Sequence, residues 1–123
     1  MPSGIEYIPE DAFRDCANLS SIDLPSTVTS IGLHAFSNAG LISVHIPTSL
    51  KSVAYDGFAC PHLTGVYVDD PLSLASISFV GEMSNPLWYA HNLYSTNGNL
   101  ITSLTFNNAL IIEKFAYNYC SSI

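Results

Sequence analysis

Residues 22–36 read Ile-Asp-Leu-Pro-Ser-Thr-Val-Thr-Ser-Ile-Gly-Leu-His-Ala-Phe, and their pattern of apolar residues predicts the fold. Ile22 and Leu24 alternate with polar neighbours, so both side chains lie on one face of a short strand. Pro25 lacks the N–H group that strand pairing needs, and it ends the strand. The small alanine before Phe36 lets the backbone come close while the phenyl ring fills the interior. A strand this short cannot bury its apolar face alone and needs neighbours of the same kind.

The same pattern recurs along the chain at a nearly constant interval. Three apolar columns show it, namely Phe13, Phe36 and Phe58; Leu19, Leu41 and Leu63; and Ile22, Val44 and Val66. Their period of about 22 residues is within the range of solenoid repeats. A fourth copy is predicted at residues 101–123, with Leu104 beside Val66. We therefore predict a repeat solenoid. Its short parallel β-strands, about 4.8 Å apart, stack into a curved sheet with an irregular or short-helical convex side.

The stretch at residues 22–36 resembles the BspA-like class of leucine-rich repeats, which has Ile-x-Ile-Pro, then Val-Thr-x-Ile-Gly, then Ala-Phe and a cysteine. The resemblance covers nearly the whole chain. It implies a solenoid on secreted or cell-surface proteins of mucosal bacteria and protist parasites, with roles in adhesion and host-protein binding. The chain departs from the pattern at Ala39, which replaces the cysteine of the second block, and at Asn107, which stands where proline is expected.

The whole chain, residues 1–123, is interpreted as one leucine-rich-repeat domain of about four to five repeats. Val66 and Leu104 lie much further apart than one period, which predicts an insertion at about residues 69–99. The chain starts partway into one block and stops at Ile123, just before the next strand. We therefore expect a segment of a longer array, or copies that associate end to end through an open apolar end.

Two proline-containing pairs and one Asn-Gly pair predict the structure of this insertion. Asp70-Pro71 and Asn85-Pro86 are typical of helix starts and predict short helices at residues 72–79 and 87–92. Asn97-Gly98 between apolar runs predicts a two-residue hairpin turn. The insertion is therefore expected to be helical with a hairpin at its end.

The charge balance narrows the choice of partners. The net charge is −7, and only Arg14, Lys51 and Lys114 are basic. Nucleic acids and anionic membrane surfaces need clustered Lys and Arg, so neither is an expected partner. The chain has no apolar run of the roughly 18 residues that span a bilayer, and its first residues do not form a signal peptide. The family resemblance implies an extracellular or cell-surface location.

The cysteines and histidines show no pattern of a metal or cofactor site. Cys16 and Cys120 share one repeat phase and Cys60 lies within one residue of it, which predicts buried free thiols rather than disulfides. The histidines fall at different repeat phases, at positions His34, His45, His62 and His91. Because the chain has no Cys-x-x-Cys or His-x-x-x-His pair, neither a metal site nor a cofactor is expected.

Serine, histidine and aspartate do share one predicted strand face. Asp23 and His45 occupy the same phase on neighbouring repeats and are expected to approach each other, with Ser21 and Ser43 nearby. A triad needs a nucleophile in contact with its base and an oxyanion hole, and an open solenoid face offers no such hole. We interpret Asp23 and His45 as a surface cross-strand pair and predict that the chain is not an enzyme.

The outward columns of the strands form the predicted partner-binding surface, because stacked repeats make them continuous. Its residues are Ser21, Asp23, Ser43, His45, Tyr67, Ser103 and Thr105. A second candidate surface lies in the insertion and consists of Trp88, Tyr89 and Tyr94, which are residue types common in binding hot spots. The expected partner is a protein, such as a host matrix or surface protein, or a glycan. The alternatives are a merely solvated sheet face, aromatic rings that cover the core, and a structural spacer without a ligand.

Overall fold

The computed structural model describes residues 4–70 and 72–101. The chain winds through short strands that return to the same two sides of the molecule once in each repeat. The strands are β1 (Tyr7–Ile8), β2 (Ser30–Ile31), β3 (Ser43–Ile46), β4 (Ser52–Val53), β5 (Gly65–Val68), β6 (Ser78–Phe79) and β7 (Leu93–Ser95). One α-helical turn, α1 (Leu87–Ala90), precedes β7. This arrangement is a repeat solenoid, which confirms the predicted fold class.

The first ladder contains β3, β5 and β7, and all its strands are parallel. Val44 pairs with Val66 and His45 pairs with Tyr67, as the period of the sequence predicts. Asp23 extends the ladder by a parallel bridge to His45. Residues alternate between core and surface along β3, where Val44 is buried and His45 is half-buried. We call the outward side of this ladder the strand face.

The rung that follows β5 differs from the expectation. Leu93 pairs with Val66, so it occupies the place that the sequence pattern assigned to Leu104. The interval from Val66 to Leu93 is only slightly longer than the interval from Val44 to Val66. Leu104 and the rest of the predicted fourth copy lie outside the described residues. The strand that follows β5 in this ladder is therefore built from residues that the sequence pattern predicts to be an insertion.

A second parallel ladder, in the order β1-β2-β4-β6, runs along the return path of each repeat. Each strand contributes only two residues, and the inward one comes from the second apolar pair of each block. The inward residues in register are Ile8, Ile31, Val53 and Phe79. The sequence predicts an irregular or short-helical return path, because a two-residue strand is too short to show an alternation of apolar and polar residues.

The predicted helix at residues 72–79 is wrong in its second half. A 3₁₀ turn spans Ser73–Ser76, and the chain then enters β6. The Ser78 N–H donates to the Lys51 carbonyl oxygen at 2.9 Å, so pairing with the open edge of β4 replaces further helix. Asp70 acts at the start, where its carboxylate accepts the Leu72 N–H at 3.0 Å.

The second predicted helix and the hairpin are present. The Asn85 side chain accepts the Leu87 N–H at 2.9 Å at the start of α1, and His91, with φ of 61°, ends it. Tyr94 forms an antiparallel bridge to Leu100, but the turn between them is longer than the predicted two residues. The Gly98 N–H donates to the Ser95 carbonyl oxygen at 2.9 Å and the Ser95 N–H to the Asn99 carbonyl oxygen at 2.9 Å, so the loop contains residues 96–98, and Gly98 takes the left-handed conformation with φ of 90°. None of the helical segments in the described residues has the length and apolar composition needed to cross a membrane.

A column of stacked phenyl rings fills the core behind the strands. The Phe13 and Phe36 ring centroids are 5.1 Å apart, and those of Phe36 and Phe58 are 5.3 Å apart. The planes differ by 4° and 2°, so the rings stack nearly parallel. Phe36 and Phe58 are fully buried, and Phe13 is partly buried. The regular spacing of phenylalanine therefore corresponds to direct contact between successive repeats.

The corners opposite the strand face use left-handed backbone at equivalent positions. Asp11, His34 and Asp56 have φ values of 58°, 54° and 56°, and they are successive members of one column. Asn, Asp and His adopt this conformation more readily than other non-glycine residues. The His34 ring lies between the other two side chains, with each carboxylate 3.7 Å from a ring nitrogen. Residues that favour the left-handed conformation therefore recur at the same corner of each repeat, just as the core residues recur.

The cysteines divide into two environments. Cys60 is buried, its Sγ–H donates to the Phe36 carbonyl oxygen at 3.1 Å, and burial raises the pKa of its thiol to about 12. Cys16 is a free thiol but is exposed, so the prediction that it is buried is wrong. Cys60 is covered by the preceding repeat, whereas in residues 4–70 and 72–101 no repeat precedes the one that holds Cys16. Cys120 lies outside the described residues.

Candidate binding face

The strand face presents one continuous column of polar and aromatic side chains. Asp23, His45, Tyr67 and Tyr94 are successive members of this column, because each is paired in register with the next. Tyr94 replaces Thr105 as the neighbour of Tyr67, and both Thr105 and Ser103 lie outside the described residues. Tyr94, which the sequence predicts in the second candidate surface with Trp88 and Tyr89, lies on the strand face beside Tyr67.

The two tyrosines of this column stack on each other. The Tyr67 and Tyr94 ring centroids are 5.0 Å apart and their planes differ by 18°. Gly65 lies beside them, since a Cβ atom built on it would be 3.2 Å from a ring carbon of each tyrosine. A glycine at this position leaves room for the rings to lie over the backbone. The result is an aromatic platform at one end of the strand face.

A groove of about 330 Å³ opens next to this platform. Its lining comprises Ser21, Ile22, Asp23, Ser43, Val44, His45, Tyr67 and Thr96. Five of the seven residues predicted from the sequence for partner binding therefore lie together around one depression. Thr96 was not predicted, because it reaches the groove only through the turn that follows β7.

The imidazole of His45 is held by a different carboxylate from the expected one. His45 Nε2 and Asp69 Oδ1 form a hydrogen bond of 3.1 Å, and Asp69 directly follows β5. Asp23 adjoins His45 through the backbone bridge, and its own side chain is exposed at the groove. Asp23 thus places one carboxylate at the groove, whereas the Asp69 carboxylate, which is outside the lining, pairs with His45. Among the described residues that line it, none is a lysine or an arginine.

The arrangement does not assemble the groups that nucleophilic catalysis needs. Within residues 4–70 and 72–101, neither the Ser21 nor the Ser43 hydroxyl is hydrogen-bonded to His45, although a triad requires that contact. In the same part of the chain, no three His, Cys, Asp or Glu side chains converge as a metal site would require. The lining of the groove contains an aromatic ring, an imidazole, hydroxyls and the carboxylate of Asp23, which can stack on a partner or form hydrogen bonds with it.

The second predicted surface is divided by the structure. Trp88 and Tyr89 lie on α1 and are half-buried, and Tyr89 packs against the core. The alternative that these rings cover the core therefore describes Tyr89 well. Only Tyr94 of the three residues belongs to the strand face.

A second groove, which the sequence analysis missed, lies along the other ladder. Its volume is about 400 Å³, with Ser30 and Ser52 on the strands and the exposed side chains of Tyr7, Leu33 and Val80 around them. The serines occupy the outward positions of β2 and β4. Because each strand there has only two residues, no sequence period marked this side as a sheet.

Parallel ladders that recur at nearly constant intervals around a stacked core define the chain as a leucine-rich-repeat solenoid. The family described as a BspA-type leucine-rich repeat region of six copies matches residues 1–84. The chain therefore belongs to the BspA-type leucine-rich repeat family. No curated protein matches the chain in sequence. Repeats of this family are generally interaction or structural modules rather than enzymes, and they typically occur on surface proteins.

Proposed function

We propose that the chain is a protein-binding module that docks its partner on the strand face, and that it serves adhesion on a secreted or cell-surface protein. The observation that carries this proposal is the stacked pair Tyr67 and Tyr94 beside an open groove. Binding energy concentrates on tyrosine, tryptophan and arginine anchors in well-packed surroundings. A stacked pair on paired strands is already ordered, so little conformational entropy is lost on binding.

The face also has the form that a macromolecular partner needs. It spans the successive rungs from Asp23 through β3 and β5 to β7, so contacts can extend along the solenoid. Solenoids commonly use such extended surfaces for partners. Ile42 is 52% exposed just before β3 and adds an apolar contact at the margin of the face. The family membership supports the same class of function, since leucine-rich repeats generally mediate protein interactions.

The test measures binding of the full chain to a panel of purified extracellular matrix proteins and to a glycan array. For a protein that binds, Tyr67→Ala is expected to weaken binding by about thirtyfold, as loss of a hot-spot tyrosine does. The matched control is Tyr7→Ala, because Tyr7 is an exposed tyrosine on the other ladder, at 51% exposure. Circular dichroism of each variant confirms that it remains folded.

The possible outcomes distinguish the proposed binding surface from the alternative surface, partner and role. The proposal is supported if Tyr67→Ala weakens binding of the protein partner and Tyr7→Ala leaves that binding unchanged. The opposite result would move the binding surface to the second groove. Binding only to glycans would contradict a protein partner, and no binding to either panel would favour a structural spacer. End-to-end self-association is tested separately, as a molar mass that rises with concentration in light scattering.

A further inference from the structure

We infer that the groove on the strand face receives a cationic side chain, arginine or lysine, carried by the partner protein. The inference rests on the proposed function, because it names the chemistry of a partner that docks on this face. It follows from three properties of the groove: the carboxylate of Asp23 in a lining without lysine or arginine, the aromatic ring of Tyr67, and the hydroxyl groups of Ser21 and Ser43.

Within the described residues, no lysine or arginine balances the negative charge of the groove. Asp23 lines the groove, and the imidazole of His45, which also lines it, is paired with Asp69 at 3.1 Å between Nε2 and Oδ1. The one arginine and the one lysine in the described part of the chain lie elsewhere. Arg14 is within 3.4 Å of Asp11 at a corner of the first repeat, and Lys51 immediately precedes β4 on the other ladder. A net charge of −7 adds a long-range attraction for basic partners.

The aromatic ring gives the cation a second contact. Tyr94 covers one face of the Tyr67 ring, at a centroid distance of 5.0 Å. On the other side of Tyr67 in the ladder is His45, whose ring is hydrogen-bonded to Asp69. Tyr67 also lines the groove, so its ring is within reach of a group bound there. A guanidinium or ammonium group is attracted to the face of an aromatic ring within about 6 Å of its centroid.

The polar residues that line the groove can accept the hydrogen bonds that a cationic side chain donates. Arginine and lysine side chains only donate hydrogen bonds, and the hydroxyls of Ser21 and Ser43 and the carboxylate of Asp23 accept them. The volume of about 330 Å³ is that of a small pocket and is open at the surface, so a side chain can enter from a bound strand or loop. A neutral sugar would use the hydroxyls but would gain nothing from the charge, and an anionic sugar would be repelled.

The test selects random twelve-residue peptides displayed on phage against the immobilised full chain. The selected peptides are expected to be enriched in arginine or lysine. Synthetic peptides with that residue replaced by glutamine should bind about two- to fivefold more weakly, which is the scale of an exposed charge pair. Asp23→Asn should lower the affinity by a similar factor, and added salt should weaken binding further.

The control for Asp23→Asn is Glu10→Gln, which removes one negative charge from an exposed residue beside the other ladder. It should leave peptide binding unchanged. Peptides that bind through the strand face, as judged by loss on Tyr67→Ala, but carry no basic residue would overturn this inference and leave the proposed function standing. Peptides that bind equally to wild type and Tyr67→Ala would overturn both.

Discussion

The rings of Tyr67 and Tyr94 stack 5.0 Å apart although a whole repeat, which includes α1, separates them in the chain. The stack links β5 to β7, so it joins the regular repeats to the longer one that follows. The same two rings form the platform at the end of the groove. This one contact therefore contributes both to the stability of the last described rung, beside its backbone pairing, and to the shape of the binding face.

A double-mutant cycle on this pair should reveal that contact. Tyr67→Leu and Tyr94→Leu keep apolar bulk but remove the stacking, and offset-stacked aromatic pairs contribute about 0.5–1.5 kcal/mol beyond their buried area. We expect a coupling free energy in this range, measured by urea unfolding of the two single variants and the double variant. Tyr67→Leu combined with Tyr7→Leu is the control, because distant sites are additive within about 0.5 kcal/mol. Additive losses for the stacked pair would contradict the prediction.

The register of the first repeats could be predicted because it depends on local alternation and a constant period. Val44 beside Val66 follows from the repeat spacing alone. The next rung could not be predicted in the same way. Leu93–Ser95 is a very short strand that is followed by Asn97-Gly98. Its sequence is therefore compatible both with one strand of a hairpin and with a strand of the solenoid ladder. In the structure the segment is both, because the open edge of β5 pairs with it.

The second ladder and the side-chain partner of His45 could not be predicted from the sequence, and each has a physical reason. The strands of that ladder have two residues each, and what defines them is their neighbours' open edges rather than their own composition. His45 was expected next to Asp23, and the backbone does place them so. Its ring nevertheless forms a hydrogen bond with Asp69, a residue one repeat away. The repeat spacing predicts which backbones are neighbours, but it does not predict which of several nearby carboxylates the imidazole bonds to.

Gly40 should tolerate no side chain. A Cβ atom there would collide with the Ala17 carbonyl oxygen, and this oxygen belongs to backbone that is fixed by the Gly40 N–H bond to Cys16 at 3.0 Å. Gly40→Ala should therefore lower the free energy of unfolding by about 1–3 kcal/mol, as overpacking does. Gly65→Ala is the comparison, because its Cβ would meet only tyrosine rings that can shift. Equal midpoints of urea unfolding for wild type and Gly40→Ala would refute the expected clash.

The two described thiols should differ sharply in reactivity. Alkylation needs the thiolate, and burial raises the pKa of Cys60 to about 12, whereas Cys16 is exposed. In a Cys120→Ser background at pH 8, iodoacetamide should modify Cys16 rapidly and Cys60 only after urea unfolding. Mass spectrometry of peptides after timed quenching gives both rates. Rapid modification of Cys60 in the folded chain would show that its thiol is not buried as described.

The same shift predicts how stability responds to alkali. The folded pKa of Cys60, about 12, lies above the ordinary value of 9.0, so the neutral thiol stabilises the folded state. This contribution is fully present below pH 9.0 and is lost as the pH rises through about 12. Cys60→Ala removes the titrating group, so its unfolding free energy should fall less steeply than that of wild type between pH 9 and 11. Parallel curves in urea unfolding would contradict the assignment.

The phenyl column should make the central repeat the most sensitive part of the core. Phe36 is fully buried and stacks on Phe13 on one side and Phe58 on the other. Phe36→Ala should therefore lower the free energy of unfolding by about 3–5 kcal/mol, and Phe36→Leu, which keeps most of the volume, by less. Phe13→Ala is the matched control, because Phe13 is partly buried and stacks on one neighbour in the described structure, so its loss should be smaller. Urea unfolding followed by circular dichroism ranks the three variants. If Phe13→Ala and Phe36→Ala were equally destabilising, stacking on two sides would contribute nothing beyond contact on one, and the phenyl column would not be what couples the repeats.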